Sequence, residues 1–412
     1  MGVIGSQQPT TTPAVFDVAV RDVAQRVRTS LAEVLAVIGV DATKPQSMAR
    51  QLGLDKSLAW KTSRIVSDAD PFAAIPRLPG RSGQKILLNS LRTAGAPADA
   101  IGAVQEALDE FEQLVETHAG DRETFEMMLS GLGKDGQSDL DEAHRKLSFQ
   151  GNSAIWGVQA RVQMASQFVM PGSASKLTLA TVFGLIDFRR LRTSAAWAVA
   201  NMWGYHDDGT AANVADEPLE KNNGTTPGLP LLTSFSSPNL PPMRGSTSRN
   251  GLRRYEIVEG PVGMTGAMNI VSGWVSRDTV DRYRTDVDKV GEHLVYLSTP
   301  AELLIHDLFV HKSLDFAMRP RAHLYSQLPG GPVYPQDGQE SGQLPLPEAM
   351  VDLGEGPPDL TTPEVARYRA MAEMGAKAAG FTLNDFHGFR LKIKYPPIPT
   401  LTLFRYDLPD RG

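Results

Sequence analysis

The chain has 412 residues, 41% of them apolar and 21% charged, and a formal net charge of −6. That composition excludes a wholly disordered chain and leaves room for two or three domains. No cysteine is present, which removes disulfides, thiol nucleophiles and thiolate zinc sites from consideration.

Residues 1–6 fit an N-myristoylation pattern short enough to arise by chance, and the polar residues 7–13 read as a frayed end. The start lacks a basic-then-apolar leader pattern, and no apolar run approaches the roughly 18 residues of a membrane helix. The expectation is a soluble cytoplasmic protein with no membrane partner. From Val15 to Val40 the spacing of Val20, Val23, Val27, Leu31, Val34, Leu35 and Ile38 predicts a long helix. Thr43 and Gln46 have capping-box spacing before a short helix that carries Pro45 in its first turn. Met48, Ala49 and Leu52 form the buried stripe of that helix, and Gly53 supplies the backbone freedom to end it. Asp55 is positioned to cap the next helix, with Leu58, Ala59, Thr62 and Ile65 inward and Lys56, Ser57, Trp60, Lys61 and Arg64 outward.

Two short helices meeting at a glycine, with Ala49 four positions before Gly53 and Leu54 just after it, resemble the helix-turn-helix of bacterial transcription regulators. The resemblance is confined to residues 43–66. It implies that the second helix enters the major groove of double-stranded DNA. Lys56, Ser57, Lys61 and Arg64 would then do the reading, Arg50 would lie nearer the phosphates, and Trp60 would be a groove contact or a packing anchor. Thr62 stands where an aliphatic residue is usual. Charge agrees in sign: residues 21–92 hold 12 Lys and Arg against 6 Asp and Glu, net +6, whereas residues 93–142 hold 2 against 13, net −11.

Beyond this segment, Ser82 reads as the cap of a helix carrying Ile86, Leu87 and Leu91. Pro97 opens an amphipathic helix through Ile101, Val104, Leu108, Phe111, Leu114 and Val115, with Gly120 after its end. A companion over residues 121–132 gathers Phe125, Met128 and Leu129 on one side, as an antiparallel hairpin or a homodimer interface. Helix signal returns from Asp139 to about Phe149, where Gly151 and Asn152 punctuate it.

From Trp156 the period changes to an alternation through Val158, Ala160, Val162 and Met164. A helix through Ile155, Val158, Val162 and Ala165 fits almost as well, but the β-branched and aromatic segments that follow favour strand. Those segments are 181–192, 196–206, 254–259, 293–297, 303–310 and 323–327. Residues 389–395 and 400–406, separated by Pro396 to Pro399, read as a closing hairpin with its basic side in water. Two long Gly, Pro, Ser and Asn-rich segments, 207–251 and 328–362, interrupt the region, and a helix capped by Thr362 is predicted from Pro363 to Gly380.

The predicted fold class is α+β: an all-α amino-terminal part with the helix-turn-helix, then a β-rich, mainly antiparallel carboxyl-terminal domain. The expected division is 15–95 for DNA binding, 96–152 as a helical connector or dimerisation region, and 153–412 for a ligand or partner. No catalytic, cofactor or metal residues are assigned. His306, Asp307 and His311 form the densest polar group, and alternation lets only Asp307 and His311 share a face. His206, Asp207, Asp208 and His293 are the remaining candidates for a site across the sheet. Neither a Gly-x-Ser-x-Gly turn nor a dinucleotide glycine motif occurs; Gly260, Gly263 and Gly266 read as a bend. Arg189, Arg190, Arg192 and the pair Arg253 and Arg254 read as solvated strand faces. The leading expectation is a DNA-binding transcriptional regulator, with a small-molecule or protein effector acting on its carboxyl-terminal domain. The rivals are a non-enzymatic assembly protein, whose helical hairpin only packs, and a hydrolase with a His and Asp site in the β-rich domain.

Overall fold

The computed structural model describes residues 13–68, 71–130, 137–173, 175–202, 216–221, 228–248, 252–328, 342–346 and 348–411. The myristoylation pattern, His206, Asp207 and Asp208 lie outside them, as do residues 207–215, 222–227, 249–251, 329–341 and 347 of the two long Gly and Pro-rich segments. Two compact units are present, residues 1–141 and 142–412.

The first unit is all helix: α1 (Pro13–Val37), α2 (Pro45–Leu52), α3 (Lys56–Ser67), α4 (Pro71–Ala74), α5 (Arg81–Thr93), α6 (Ala98–His118) and α7 (Arg122–Ser130). A single apolar core runs through it from Phe16 to Leu129 and takes in Val27, Leu31, Met48, Ile65, Leu91 and Leu108. The helices beyond residue 96 therefore share the core of those before it instead of standing apart as a connector. Phe125 and Leu129 are buried there, Phe125 edge-on to Phe16 and Phe111 with ring centroids 5.8 and 5.7 Å away. Of the stripe read as a hairpin or homodimer face, Phe125 and Leu129 are thus used within the unit and Met128 is exposed.

Helix starts depart from the sequence expectation in two places. Lys44 precedes α2 and makes no side-chain cap bond. Thr43 is drawn backward instead, its hydroxyl donating to Asp41 Oδ1 at 2.7 Å, an Asx-type turn that competes with capping. Gly80, not Ser82, precedes α5, and the buried face of the helix runs through Leu87, Leu88 and Leu91 while Ile86 is exposed.

In the chain's second half α8 (Gln137–Trp156) continues through Gly151 and Asn152, where a break was expected. One helical glycine costs only about 1 kcal/mol, and Asn152 Nδ2 donates to Ser148 Oγ one turn back at 3.2 Å. Gly157, at φ +70°, turns the chain into β1 (Val158–Pro171). The strands that follow are β2 (Lys176–Arg190), β3 (Trp197–Met202), β4 (Asp216–Pro218), β5 (Met243–Thr247), β6 (Arg253–Ile257), β7 (Met268–Asp281) and β8 (Val290–Leu297). After them come β9 (Ala301–His311), β10 (Arg321–Ser326), β11 (Gln343–Leu344), β12 (Val351–Glu355), helix α9 (Tyr368–Lys377), β13 (Phe386–Lys394) and β14 (Thr400–Asp407).

Three sheets form, with strand orders β12-β13-β9-β1-β2-β7-β4, β11-β10-β14-β8 and β3-β6-β5. Among the pairings of named strands only β1 with β9 is parallel. The seven-stranded sheet is covered on both faces. Met164, Phe168, Phe309 and Phe386 face Met371, Ala372 and Ala376 of α9, while Ala165, Val169, Leu304 and Leu308 meet Val295, Leu297 and Phe404 of the four-stranded sheet. Double coverage explains why β9 is buried at nearly every position instead of at alternate ones.

β13 and β14 do not pair. β13 lies between β12 and β9 in one sheet, β14 between β10 and β8 in another. Pro396, Pro397 and Pro399 have no N–H to donate, so the ladder cannot run on through them; the chain crosses between layers there. Nor does the basic side of β13 face water throughout, for Arg390 is buried. α9 begins five residues later than expected, because Arg367 is left-handed at φ +61° and the Thr362 hydroxyl donates to Leu360 O. Gly375 lets α9 approach the sheet: a Cβ there would lie 2.4 Å from Phe168 Cε2.

Candidate nucleic-acid interface

The candidate site is built on α2, the turn at Gly53 and α3. Gly53 adopts φ 62°, ψ 28°, a conformation costly for residues with a Cβ, and Leu54 N–H donates back to Ala49 O at 3.0 Å. Asp55 Oδ1 accepts from the N–H groups of Ser57 and Leu58 at 2.8 and 2.9 Å, which fixes where α3 starts. Leu58, Ala59, Thr62 and Ile65 are buried as expected, with Ser63 beside them. Thr62 replaces an aliphatic residue without an orphaned hydroxyl, since Oγ1 donates to Leu58 O at 2.9 Å. Ser63 Oγ donates to Ala42 O at 2.6 Å and ties α3 to the segment before α2.

The opposite face of α3 carries Lys56, Ser57, Trp60 and Arg64, all exposed, with Lys61 half-buried; Arg50 on α2 is exposed too. Trp60 retains 45% of its surface and has two guanidinium neighbours, Arg64 and Arg77, with Cζ atoms 5.8 and 5.9 Å from its ring. Such cation–π contacts hold the indole against the helix. Some of the other basic residues of the unit are neutralised internally, Arg26 by Glu110, Lys44 by Asp41, Arg77 by Asp68 and Arg81 by Glu112, whereas Arg28 and Arg92 bond only, among the described residues, to the neutral Gln25 and Asn89. Arg50, Lys56, Lys61 and Arg64 have no acidic partner among the described residues, so the cationic character of this face is not cancelled within the unit.

The remaining candidates resolve differently. His306 is buried, its ring bonded to Gln167 Oε1 at 2.8 Å and Thr402 Oγ1 at 3.1 Å. Burial drives its pKa down to about 3, with a further push from His293. His293 is lowered to about 4 by burial and meets Tyr406 Oη at 3.0 Å. Asp307 is spoken for by Arg390, and His311 Nδ1 lies 2.9 Å from Ser313 Oγ. No group of three His, Asp or Glu side chains suited to a metal occurs among the described residues. Arg190, expected on a solvated face, is wholly buried: it donates to the carbonyls of Ala195, Gly260, Val258 and Thr193, at 2.8, 2.7 and 3.4 Å for the first three. Arg192 lies beyond the end of β2 and reaches Ile155 O, Arg189 pairs with Asp187, and Arg253 with Asp216.

Sequence reading missed a cavity of about 540 Å³ in the second unit, whose wall includes Gln163, Thr181, Asn201, Trp274, His293 and Tyr406. Alternation marked Gln163 as outward, but both faces of β1 are covered.

No protein-family model matches the sequence, and comparison with curated proteins finds no match. A crystal structure from Parabacteroides distasonis, of a protein described as a candidate protease, aligns with 61% of this chain at 7% identity and a TM-score of 0.29. The chain spans 41% of that protein's length, and a likeness this slight transfers neither fold nor activity. No described helix is long and apolar enough to cross a membrane.

Proposed function

We propose that the chain is a double-stranded-DNA-binding regulator that reads the major groove with α3. The observation carrying this reading is the outer face of α3, where Lys56, Lys61 and Arg64, with Arg50 on the preceding helix, have no acidic partner among the described residues. Phosphates require such a surface, because each neutralised phosphate releases condensed counterions. Ser57 and Arg64 are the side chains for base edges, Arg50 and Lys61 for the backbone. Trp60, flanked by two arginines, supplies a rigid apolar shoulder between them. The same reading expects the protein in the cytoplasm. It leaves a homodimer to sedimentation analysis, since Phe125 and Leu129 are buried within the unit.

Selection of bound sequences from random duplexes, followed by titration of the winner at several salt concentrations, tests the reading. Lys61→Ala with Arg64→Ala is expected to weaken binding, to flatten the plot of log K against log salt by about 1 for the phosphate contact of Lys61, and to relax specificity at the base that Arg64 meets. An unchanged slope in a folded variant, or no enriched duplex at all, overturns it.

A further inference from the structure

We infer that the cavity of the second unit is a binding site for an uncharged small molecule with an apolar body and N–H or O–H donors, a site that stands whether or not α3 meets DNA. Its volume, about 540 Å³, lies within the range of small-molecule pockets. Its wall combines apolar side chains, among them Leu179, Phe183 and Trp274, with convergent neutral polar groups.

Three of the four carboxylates on that wall are compensated: Asp216 is held by Arg253 and Ser276, Asp281 by Lys176 and Glu292 by Arg405, while the fourth, Asp288, lies in the loop between β7 and β8. Burial keeps His293 neutral above about pH 4. An ionic ligand would find no free counter-charge among these pairs, and a buried charge without one is costly.

The acceptors are not compensated. Gln163 and Gln167 project from the same face of β1 and reach the edge strand β8, donating to Tyr296 O at 2.7 Å and Leu294 O at 3.2 Å. Gln167 Oε1 then accepts from His306, but Gln163 Oε1 accepts from nothing among the described residues, although the residue is only 1% exposed. Among the buried polar residues of the described strands, it alone keeps a buried side-chain atom without a partner. Asn201 Oδ1, on β3 and also on the cavity wall, lacks a partner among the described residues too. Native proteins leave few buried acceptors unpaired; two on one cavity wall call for a ligand that donates.

Three near-isosteric probes test the class: benzamide, which donates; benzoate, which is an anion; and acetophenone, which has no donor. Ligand-observed NMR on the full chain is expected to show saturable millimolar binding of benzamide and at least about tenfold weaker binding of the other two, as a buried acceptor left unpaired implies. Gln163→Met is expected to abolish the preference. Since that variant also loses the bond to Tyr296 O, Ala198→Phe, which fills the cavity from β3 without removing a polar contact, is the second variant and is expected to block benzamide. Benzoate binding as well as benzamide, no saturable binding of benzamide, or benzamide binding unchanged by Ala198→Phe overturns the assignment. DNA binding is measured separately.

Discussion

Arg390→Met isolates the buried ion pair between the neighbouring strands β13 and β9 of the large sheet. Arg390 Nε and Nη2 donate to Asp307 Oδ1 and Oδ2 at 2.8 and 2.7 Å, and the side chains are 8% and 0% exposed. Arg390 Nη1 also donates to Thr361 O at 3.0 Å, and the Tyr368 hydroxyl meets the same carboxylate. Burial pushes the Asp307 carboxyl up, against the pull of the guanidinium and the hydroxyl. Removing the guanidinium leaves that carboxylate buried with one neutral donor. Breaking such a pair costs about 3–5 kcal/mol, which for a domain of this size lowers Tm by roughly 6–20 °C. Urea unfolding followed by tryptophan fluorescence is suited to the measurement, since 4 of the 5 tryptophans lie in residues 142–412. The control is Asp307→Leu with Arg390→Met, which removes both charges. It is expected to recover most of the loss, less about 1 kcal/mol for the stranded Thr361 carbonyl, since the Tyr368 hydroxyl keeps Ser166 Oγ at 2.8 Å. A single variant that loses under about 1 kcal/mol, or a double variant as damaging as two independent losses, refutes the reasoning.

Two further outcomes are expected. Asp55→Ala removes the acceptor for two backbone donors at the start of α3, and should cost about 1 kcal/mol in the first unit's stability by chemical denaturation; no loss would mean that α3 is held by packing alone. His293 and His306 have folded pKa values lowered to about 4 and about 3 by burial, so the unfolded chain takes up their protons first. Their contribution is full above roughly pH 6.5 and declines as pH falls toward 4, with a slope approaching about 1.4 kcal/mol per pH unit for each. The window precedes that of Asp41, which Thr43 and Lys44 hold at about 2 and whose effect appears only in stronger acid. Urea midpoints between pH 7 and 4.5 check this, and His293→Gln should roughly halve the slope; a flat profile would contradict the neutral, buried state of both rings.

What the sequence made legible was local. The interior face of α3 could be read from Leu58, Ala59, Thr62 and Ile65 because helical neighbours three and four apart share a face wherever the helix lies. Strands β8, β9, β10 and β14 announced themselves by β-branched and aromatic residues. β7 did not, for Ser272, Gly273 and Ser276 dilute its pattern and its register against β2 shifts twice. Pairing was less legible still. Phe389 to Tyr395 and Thr400 to Tyr406 look like two arms of a hairpin, yet each finds its neighbours among strands far off in sequence.

Polar residues on strands misled for a related reason. The alternation rule assigns one face to water, which holds when only one face of a sheet is covered. Here both are, so Arg190, Asp307, Arg390 and Gln163 are buried whichever side they take, and each needs a partner supplied from elsewhere in the chain. Arg190 finds it in four carbonyls of the loops near residues 193–195 and 258–260, Asp307 in Arg390 and Tyr368. No spacing rule reaches such partners, because they are set by which strands become neighbours. Gln163 marks the point where that supply of partners fails. The cavity beside it is lined by β1, β2, β3, β7, β8 and β14, which run from Val158 to Asp407 in the chain, so it exists only once the layers have assembled. A helix face can be recognised in the unfolded chain; a pocket whose wall is completed by distant strands belongs to the fold alone, and its unpaired acceptor is the trace it leaves.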